Sequence, residues 1–300
     1  MLDRTEEFAS KHLGKKSLGS ESYEPTLLVP IPRIENRKQY DISNSNLPFE
    51  GFDIWHGYEF SSMTNNNVPV TRLIKFKYNC NSEFLIESKS LKLYLNSFNM
   101  SKFGDSIKEC LEICKNLIQK DLSKALQSEV ELEFVENTSS KVEVFSNYKN
   151  LLDLVDEKDL VITQFKESPD VLEIDENNPE SKDYYLTFDS LRSNCRVTHQ
   201  PDFGDVFIYY NSKKHIDEIS LIKYLTSFRA EYHFHEECCE MIFKRLKDLL
   251  DSEDSLFVGA LYTRRGGIDI SPMRWSKNCL IKDVESLLDL KTFARYGVKQ

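Results

Sequence analysis

The chain has 300 residues, 40% hydrophobic and 29% charged, which is enough apolar material for about two packed domains and too much for a disordered chain. A formal charge of −10 excludes broad coating of nucleic acid, which needs a basic face to displace counterions. Ten glycines fall in neither G-x-G-x-x-G nor G-x-x-x-x-G-K spacing, so any nucleotide must be held without a Rossmann or phosphate-binding loop.

The first residues, Met1 to Lys16, mix acids and bases with few apolar side chains and do not read as a signal peptide. No uncharged apolar run approaches the roughly 18 residues of a membrane span. Seven cysteines without C-x-x-C spacing fit reduced thiols, so a cytoplasmic protein without a membrane partner is expected. Residues 1–45 hold glutamates, lysines and a Pro30-Ile31-Pro32 turn, and read as an extended arm against the body.

A repeat organises the rest of the chain. Ser90–Phe98 and Ser220–Phe228 share six of nine residues. In both, apolar residues recur at i, i+3, i+4 and i+7 (Leu91, Tyr94, Leu95, Phe98; Leu221, Tyr224, Leu225, Phe228), one stripe of a short helix. A second helix follows each, with Phe103, Ile107, Cys110, Leu111 and Ile118 matching Phe234, Cys238, Met241, Ile242 and Leu249. Strands flank the helices. Ile74, Phe76 and Tyr78 alternate with lysines, Phe84–Ile86 begins another strand, and Val130–Val135 and Val142–Phe145 follow. In the second copy Tyr184–Phe188 and Val206–Tyr210 precede the helices, while Leu256–Tyr262 and a segment from Ile268 follow them. The expectation is an α+β protein of two β-β-α-α-β-β modules, at 46–150 and 184–300, each an antiparallel sheet with helices on one face. Residues 151–183, rich in Asp, Glu, Asn and Pro, read as a solvated linker.

Chemistry concentrates at four places. Leu191 to Asp205 reads as a polar loop carrying Cys195, Arg196 and Asp202, where a thiol is either a nucleophile or structural. Phe234-His235-Glu236-Glu237-Cys238-Cys239 opens a helix, and its acids suit either a ligand or a solvated helix start. His233, His235, Cys238 and Cys239 are zinc-ligand types, but a helix does not point them at one tetrahedron, so no metal is expected. Glu87-Ser88-Lys89-Ser90 leads into the first repeat helix, with Ser88 or Ser90 as a simple cap. Arg264-Arg265-Gly266-Gly267 either grips a phosphate or forms a solvated hairpin. Where the second module has His235-Glu236 the first has Gly104-Asp105, and where the first has Glu87-Ser88-Lys89 the second has Asp217-Glu218-Ile219. Each copy holds a different half of one polar constellation.

The stretch Glu87-Ser88-Lys89-Ser90-Leu91-Lys92-Leu93-Tyr94, the Ser193-Asn194-Cys195 and Gln200-Pro201-Asp202 pair, Phe234-His235-Glu236, and Tyr262-Thr263-Arg264-Arg265-Gly266-Gly267 together resemble the long, two-module branch of the QueF nitrile reductases. Phe203 stands where relatives often carry tryptophan. The resemblance implies tandem tunnelling-fold (T-fold) modules, NADPH as cofactor, and reduction of the nitrile of 7-cyano-7-deazaguanine in queuosine biosynthesis. It implies Cys195 as the nucleophile that forms a thioimide, Asp202 as proton donor, and His235 in proton handling. It further implies a deazapurine held by Ile86, Glu87, Ser88, His235 and Glu236, and a cofactor held by Ser88, Lys89, Arg265 and Gly266. A homodimer without direct nucleic-acid binding is the matching expectation for partners. A zinc-using T-fold enzyme acting on a pterin or purine, and a non-catalytic purine-binding module, are the competing readings.

Overall fold

The structure, a computed structural model, is described for residues 22–136, 141–175, 180–277, 279 and 282–295. Residues 1–21 of the expected arm and the last five residues of the expected second module lie outside the described residues. Eight strands make one sheet: β1 (Glu50–Met63), β2 (Pro69–Asn79), β3 (Val130–Val135), β4 (Lys149–Asn150), β5 (Lys182–Asn194), β6 (Pro201–Ser212), β7 (Ser255–Tyr262) and β8 (Ile268–Trp275). Their spatial order is β3-β2-β1-β8-β7-β6-β5-β4, antiparallel throughout except that β4 runs parallel to β5. The two halves of the chain therefore do not build separate sheets. They meet where β8 pairs with β1, from Ile268 opposite Gly57 to Trp275 opposite Glu50.

Four main helices lie on one face: α1 (Ser88–Asn96), α2 (Ile107–Leu126), α3 (Glu218–Ser227) and α4 (His235–Leu249). The repeat stripes are what they bury. Leu91, Tyr94 and Phe98 pack with Trp55, Ile74 and Phe76 of the first half. Leu221, Tyr224 and Phe228 pack with Val206, Ile208 and Tyr210 of the second. Each such side chain, taken fully out of water, contributes about 1.5–3 kcal/mol. The caps repeat too: both oxygens of Glu87 accept the Lys89 and Ser90 amides (3.0 and 2.7 Å), as Asp217 accepts the Ser220 amide (2.8 Å). The α1 cap is thus Glu87, not Ser88 or Ser90. The Ser90 hydroxyl instead bonds back to the Glu87 carbonyl (2.7 Å).

The structure departs from the sequence reading at several places. The expected linker is not simply solvated: Leu151 is fully buried, and Val155, Leu160, Ile162, Val171, Leu172 and Ile174 pack against the core of the second half. The strand Glu50–Met63 gave no alternation to read, because residues 53–57 are buried without interruption. Phe84–Ile86 does not join the large sheet; it pairs with Pro30–Pro32, which forms a strand rather than a turn. Prolines suit a two-stranded ladder where one edge needs no amide donor. The expected strand near Val142 is Lys141–Glu143, and it leaves the sheet to pair in parallel with Phe293–Arg295. Finally, Leu191 to Asp205 is no loop: β5 and β6 run through it and only 195–200 turns.

The reverse face of the sheet is covered as well, by Val144, Phe145, Tyr148, Cys279, Val284 and Leu287 against Phe207, Phe257 and Met273. No described helix is long and apolar enough to cross a membrane.

Candidate active site

The β5–β6 turn fixes Cys195. Its amide donates to the Gln200 carbonyl (2.8 Å), its carbonyl accepts the His199 amide (2.9 Å), and the residue is 3% exposed. Arg196 ties this turn to the start of α4: its Nε donates to the Tyr232 carbonyl (3.2 Å) and its guanidinium lies 3.5 Å from Glu237. Glu237 in turn accepts the Phe234 amide (2.9 Å), closing the first turn of the helix. His233 sits in the same clamp, held above its ordinary pKa because Glu231 and Glu237 outweigh its burial.

Lys89 comes from the other half of the chain, and its ammonium stands 3.3 Å from Cys195 Sγ. Burial alone would push the thiol up. The Lys89 charge, with the Thr198 hydroxyl and the Thr198 and Val197 amides, more than reverses that and holds it below the ordinary cysteine value. Four other thiols go the opposite way: burial pushes Cys80 to about 11 and Cys114, Cys238 and Cys279 to about 12.

Asp202, on β6, pairs with Arg265 and lies 3.5 Å from His235 Nε2. Burial would raise its carboxyl, but His235, Arg265 and Lys89 together hold it low, so it is a carboxylate at neutral pH. Arg265 reaches it from a tight β7–β8 turn in which Gly266 and Gly267 take φ of 58° and 80°, a conformation only glycine adopts freely. The paired arginines part company there, because Arg264 lies over the Tyr58 ring, 3.3 Å from its centroid. His235 stacks on Tyr262 with ring centroids 3.8 Å apart, and its buried Nδ1 has no protein partner.

The acidic opening of α4 is not solvated, contrary to that reading of the sequence: Glu236, Glu237 and Glu240 are 1%, 3% and 2% exposed. Glu236 keeps one buried oxygen, Oε1, without a partner. Burial, with the nearby Asp53 charge, raises its carboxyl to about 8. Beneath it lies a charge cluster that no local pattern signalled. Arg37 forks onto both oxygens of Glu240 (2.8 and 2.7 Å), Arg274 reaches Glu240 (2.9 Å) and Asp53 (2.8 Å), and Arg33 pairs with Asp53. Three guanidinium groups face two carboxylates, so the cluster carries one positive charge beside Glu236.

These residues line one continuous cleft. Ser88, Lys89, Lys92, Gln200, Asp202, His235, Thr263, Arg265 and Gly266 surround a cavity of about 220 Å³. A narrower recess of about 10 Å³ continues inward between Ile86, Ser88, Cys195, Phe234, His235 and Glu236. That holds barely one water, so its walls must part to admit a ring. The structure thus brings Ile86, Ser88, Lys89, Cys195, Asp202, His235, Glu236, Arg265 and Gly266 to one cleft. Glu87 is the exception: it lies at the edge with both oxygens engaged in the α1 cap. Three cations, Lys89, Lys92 and Arg265, and the left-handed Gly266 border the larger cavity, a lining whose chemistry suits phosphate oxygens. Among the described residues no three or more His, Cys, Asp or Glu side chains are arranged to hold a metal ion.

Residues 20–134 match the family model described as nitrile reductase, 7-cyano-7-deazaguanine-reductase N-term, and residues 201–279 match that of the QueF-like protein. The chain is 38% identical over 272 residues to the NADPH-dependent 7-cyano-7-deazaguanine reductase of Colwellia psychrerythraea strain 34H, covering 90% of this chain and 93% of that protein. The protein of the same description from Legionella pneumophila strain Lens is 37% identical over 269 residues, 89% of this chain and 90% of the relative. Two family models in register and this near full-length similarity leave one assignment: the chain belongs to the QueF family of nitrile reductases.

Proposed function

We propose that the protein is an NADPH-dependent 7-cyano-7-deazaguanine reductase acting in queuosine biosynthesis, and that its chemistry runs through Cys195. The observation that carries this reading is the pairing of a depressed thiol, Cys195, with a buried carboxyl, Glu236, whose Oε1 has no protein partner, both lining one recess. A deazaguanine offers adjacent ring N–H and exocyclic amine donors, and a carboxylate accepts both at once. Anchored there, the ring aims its substituent at the sulfur.

Cys195 Sγ bonds to the nitrile carbon, one carbon–nitrogen π pair moves to nitrogen, and nitrogen takes a proton; the product is a thioimide. Because Asp202 is held ionised, the proton is delivered by the Asp202–His235 pair, with Asp202 orienting the ring. NADPH supplies hydride when bound. Two hydrides and two protons convert C≡N to CH2NH2, and Cys195 departs as thiolate between them. Ser88, Lys89, Arg265 and Gly266 hold the cofactor; Ile86, Glu87 and Ser88 close the substrate side, Glu87 by fixing the start of α1.

The modules at 46–150 and 184–300, joined by 151–183, read as T-fold units, supported by the order β5-β6-α3-α4-β7-β8 in the second. A cytoplasmic homodimer without nucleic-acid contact completes the proposal. The test is NADPH oxidation with the cyano-deazaguanine, together with intact-protein mass spectrometry in the absence of cofactor. Two NADPH per product and a substrate adduct on Cys195, lost in Cys195→Ala, are expected. An active Cys195→Ala enzyme refutes the mechanism.

A further inference from the structure

Lys89 is out of place by local rules. It is the second residue of α1, where unpaired amides and the helix dipole disfavour a cation. A residue that breaks a local preference marks a site where something else is gained. What Lys89 gains is the 3.3 Å contact to Cys195 Sγ, made across 106 positions of sequence and between the two halves of the chain. The other charged groups around the sulfur are engaged elsewhere. Asp202 is tied to Arg265 and His235, Glu87 to the α1 amides, and His233 to Glu231 and Glu237. Glu236 is held in its neutral form. Lys89 also lines the larger cavity, beside Lys92 and Arg265, where the cofactor phosphates belong. One ammonium thus faces two anions that arrive at different times.

We propose that Lys89 is a catalytic residue that activates the Cys195 sulfur, and that its release from that sulfur makes nitrile capture precede cofactor docking. The proposal deepens the functional reading above and rests on it. Before reaction, the Lys89 ammonium favours the thiolate form of the sulfur and is its counterion. When Sγ bonds to the nitrile carbon, the negative charge passes to nitrogen and is neutralised by the proton from the Asp202–His235 pair. The sulfur is then an uncharged thioether-like atom, and Lys89 is free to take a phosphate oxygen. A cofactor bound first would draw the ammonium away and return the thiol toward its unreactive, protonated form.

The test is the pH profile of Cys195 alkylation by iodoacetamide on the full chain, read by peptide mass spectrometry for wild type, Lys89→Met and Lys89→Arg. Wild type should react with an inflexion below that of an ordinary thiol. Lys89→Met should move it upward by about one pH unit or more and slow alkylation at pH 7 about tenfold, since only the thiolate reacts. Lys89→Arg should restore most of the rate. Because Lys89→Met removes a cation from a helix start, its melting temperature should not fall, which separates lost activation from lost fold. NADP+, which cannot reduce, should shift the wild-type inflexion upward and leave that of Lys89→Met unmoved. Coincident inflexions for wild type and Lys89→Met would overturn the activation. If NADP+ lowers only the plateau rate, the cofactor merely shields the thiol and the ordering fails. The alkylation profile needs neither substrate nor turnover, so absence of a nitrile adduct in wild type sinks the functional reading and the ordering, while the activation of Cys195 by Lys89 is judged by the alkylation profile on its own.

Discussion

Replacing Glu240 with glutamine is expected to destabilise the protein by about 3 kcal/mol. Two routes lead to that figure. Glu240 accepts from Arg37 through both oxygens and from Arg274, all out of water, and removing one partner of a buried pair costs about 3–5 kcal/mol because the remaining charges stay buried. Independently, the three arginines draw its carboxyl from 4.5 down to about 2 despite its burial. At 1.36 kcal/mol per tenfold change in proton affinity, that difference is worth about 3 kcal/mol. The folded value is the lower one, so this stability is complete above pH 4.5 and is lost as pH falls toward 2. A chain of this size loses roughly 2–4 °C per kcal/mol, so Glu240→Gln should melt about 6–12 °C below wild type at neutral pH. Circular dichroism melts at pH 7 and across the acid range make the comparison. If the two proteins melt within about 2 °C at pH 7, the charge of Glu240 is not what holds Arg33 and Arg37 against the body, and the reasoning fails.

Substrate binding should release a proton, because Glu236 sits near 8 in the free protein and must ionise to accept two donors. Affinity on a Cys195→Ala background should therefore rise up to tenfold per pH unit from about 6 toward 8, and calorimetry in buffers of different ionisation enthalpy should count the proton; a flat profile contradicts the assignment. Glu236→Gln should abolish that pH dependence and weaken binding by about 1.5–3 kcal/mol. Asp202→Asn should leave substrate binding intact while slowing adduct formation by roughly 10²–10⁴-fold, with unchanged kinetics clearing the residue of any role. Gly51→Ala should lower the melting temperature by the equivalent of about 1–3 kcal/mol, since a Cβ there would lie 2.0 Å from the Met273 carbonyl and force β1 away from β8.

The helices were legible because burial against a sheet imposes a spacing of three and four residues, and Leu91, Tyr94 and Leu95 keep it. The strand Glu50–Met63 was not, because it is buried on both faces and period-two alternation disappears there. Cys195 and Asp202 could be singled out as polar residues beside Pro201 and Gly204, although the segment is a hairpin rather than a loop. What sequence could not show is contact between distant residues. Nothing around Lys89 announces a sulfur 106 positions away, and nothing around Arg33, Arg37 or Arg274 announces Glu240. Charged residues read singly look solvated; they become a buried network only once the strands that carry them are side by side. The acidic opening of α4 was open to a solvated reading for the same reason.

The seam between β1 and β8 has a consequence in time. Its register joins Gly57 to Ile268 and Glu50 to Trp275, so more than two thirds of the chain lies between the paired residues. Loop closure over such a span costs entropy before any hydrogen bond offsets it, and contacts of this kind form late. On the ribosome, β1 waits unpaired on that edge until β8 has left the exit tunnel, exposing a long strand edge to other nascent chains. Lys89 and Cys195 stand on opposite sides of that seam, which is where their elements first become neighbours. The Cys195 sulfur therefore meets the Lys89 ammonium only once both halves of the chain are in place, and a truncated or half-translated chain lacks that contact.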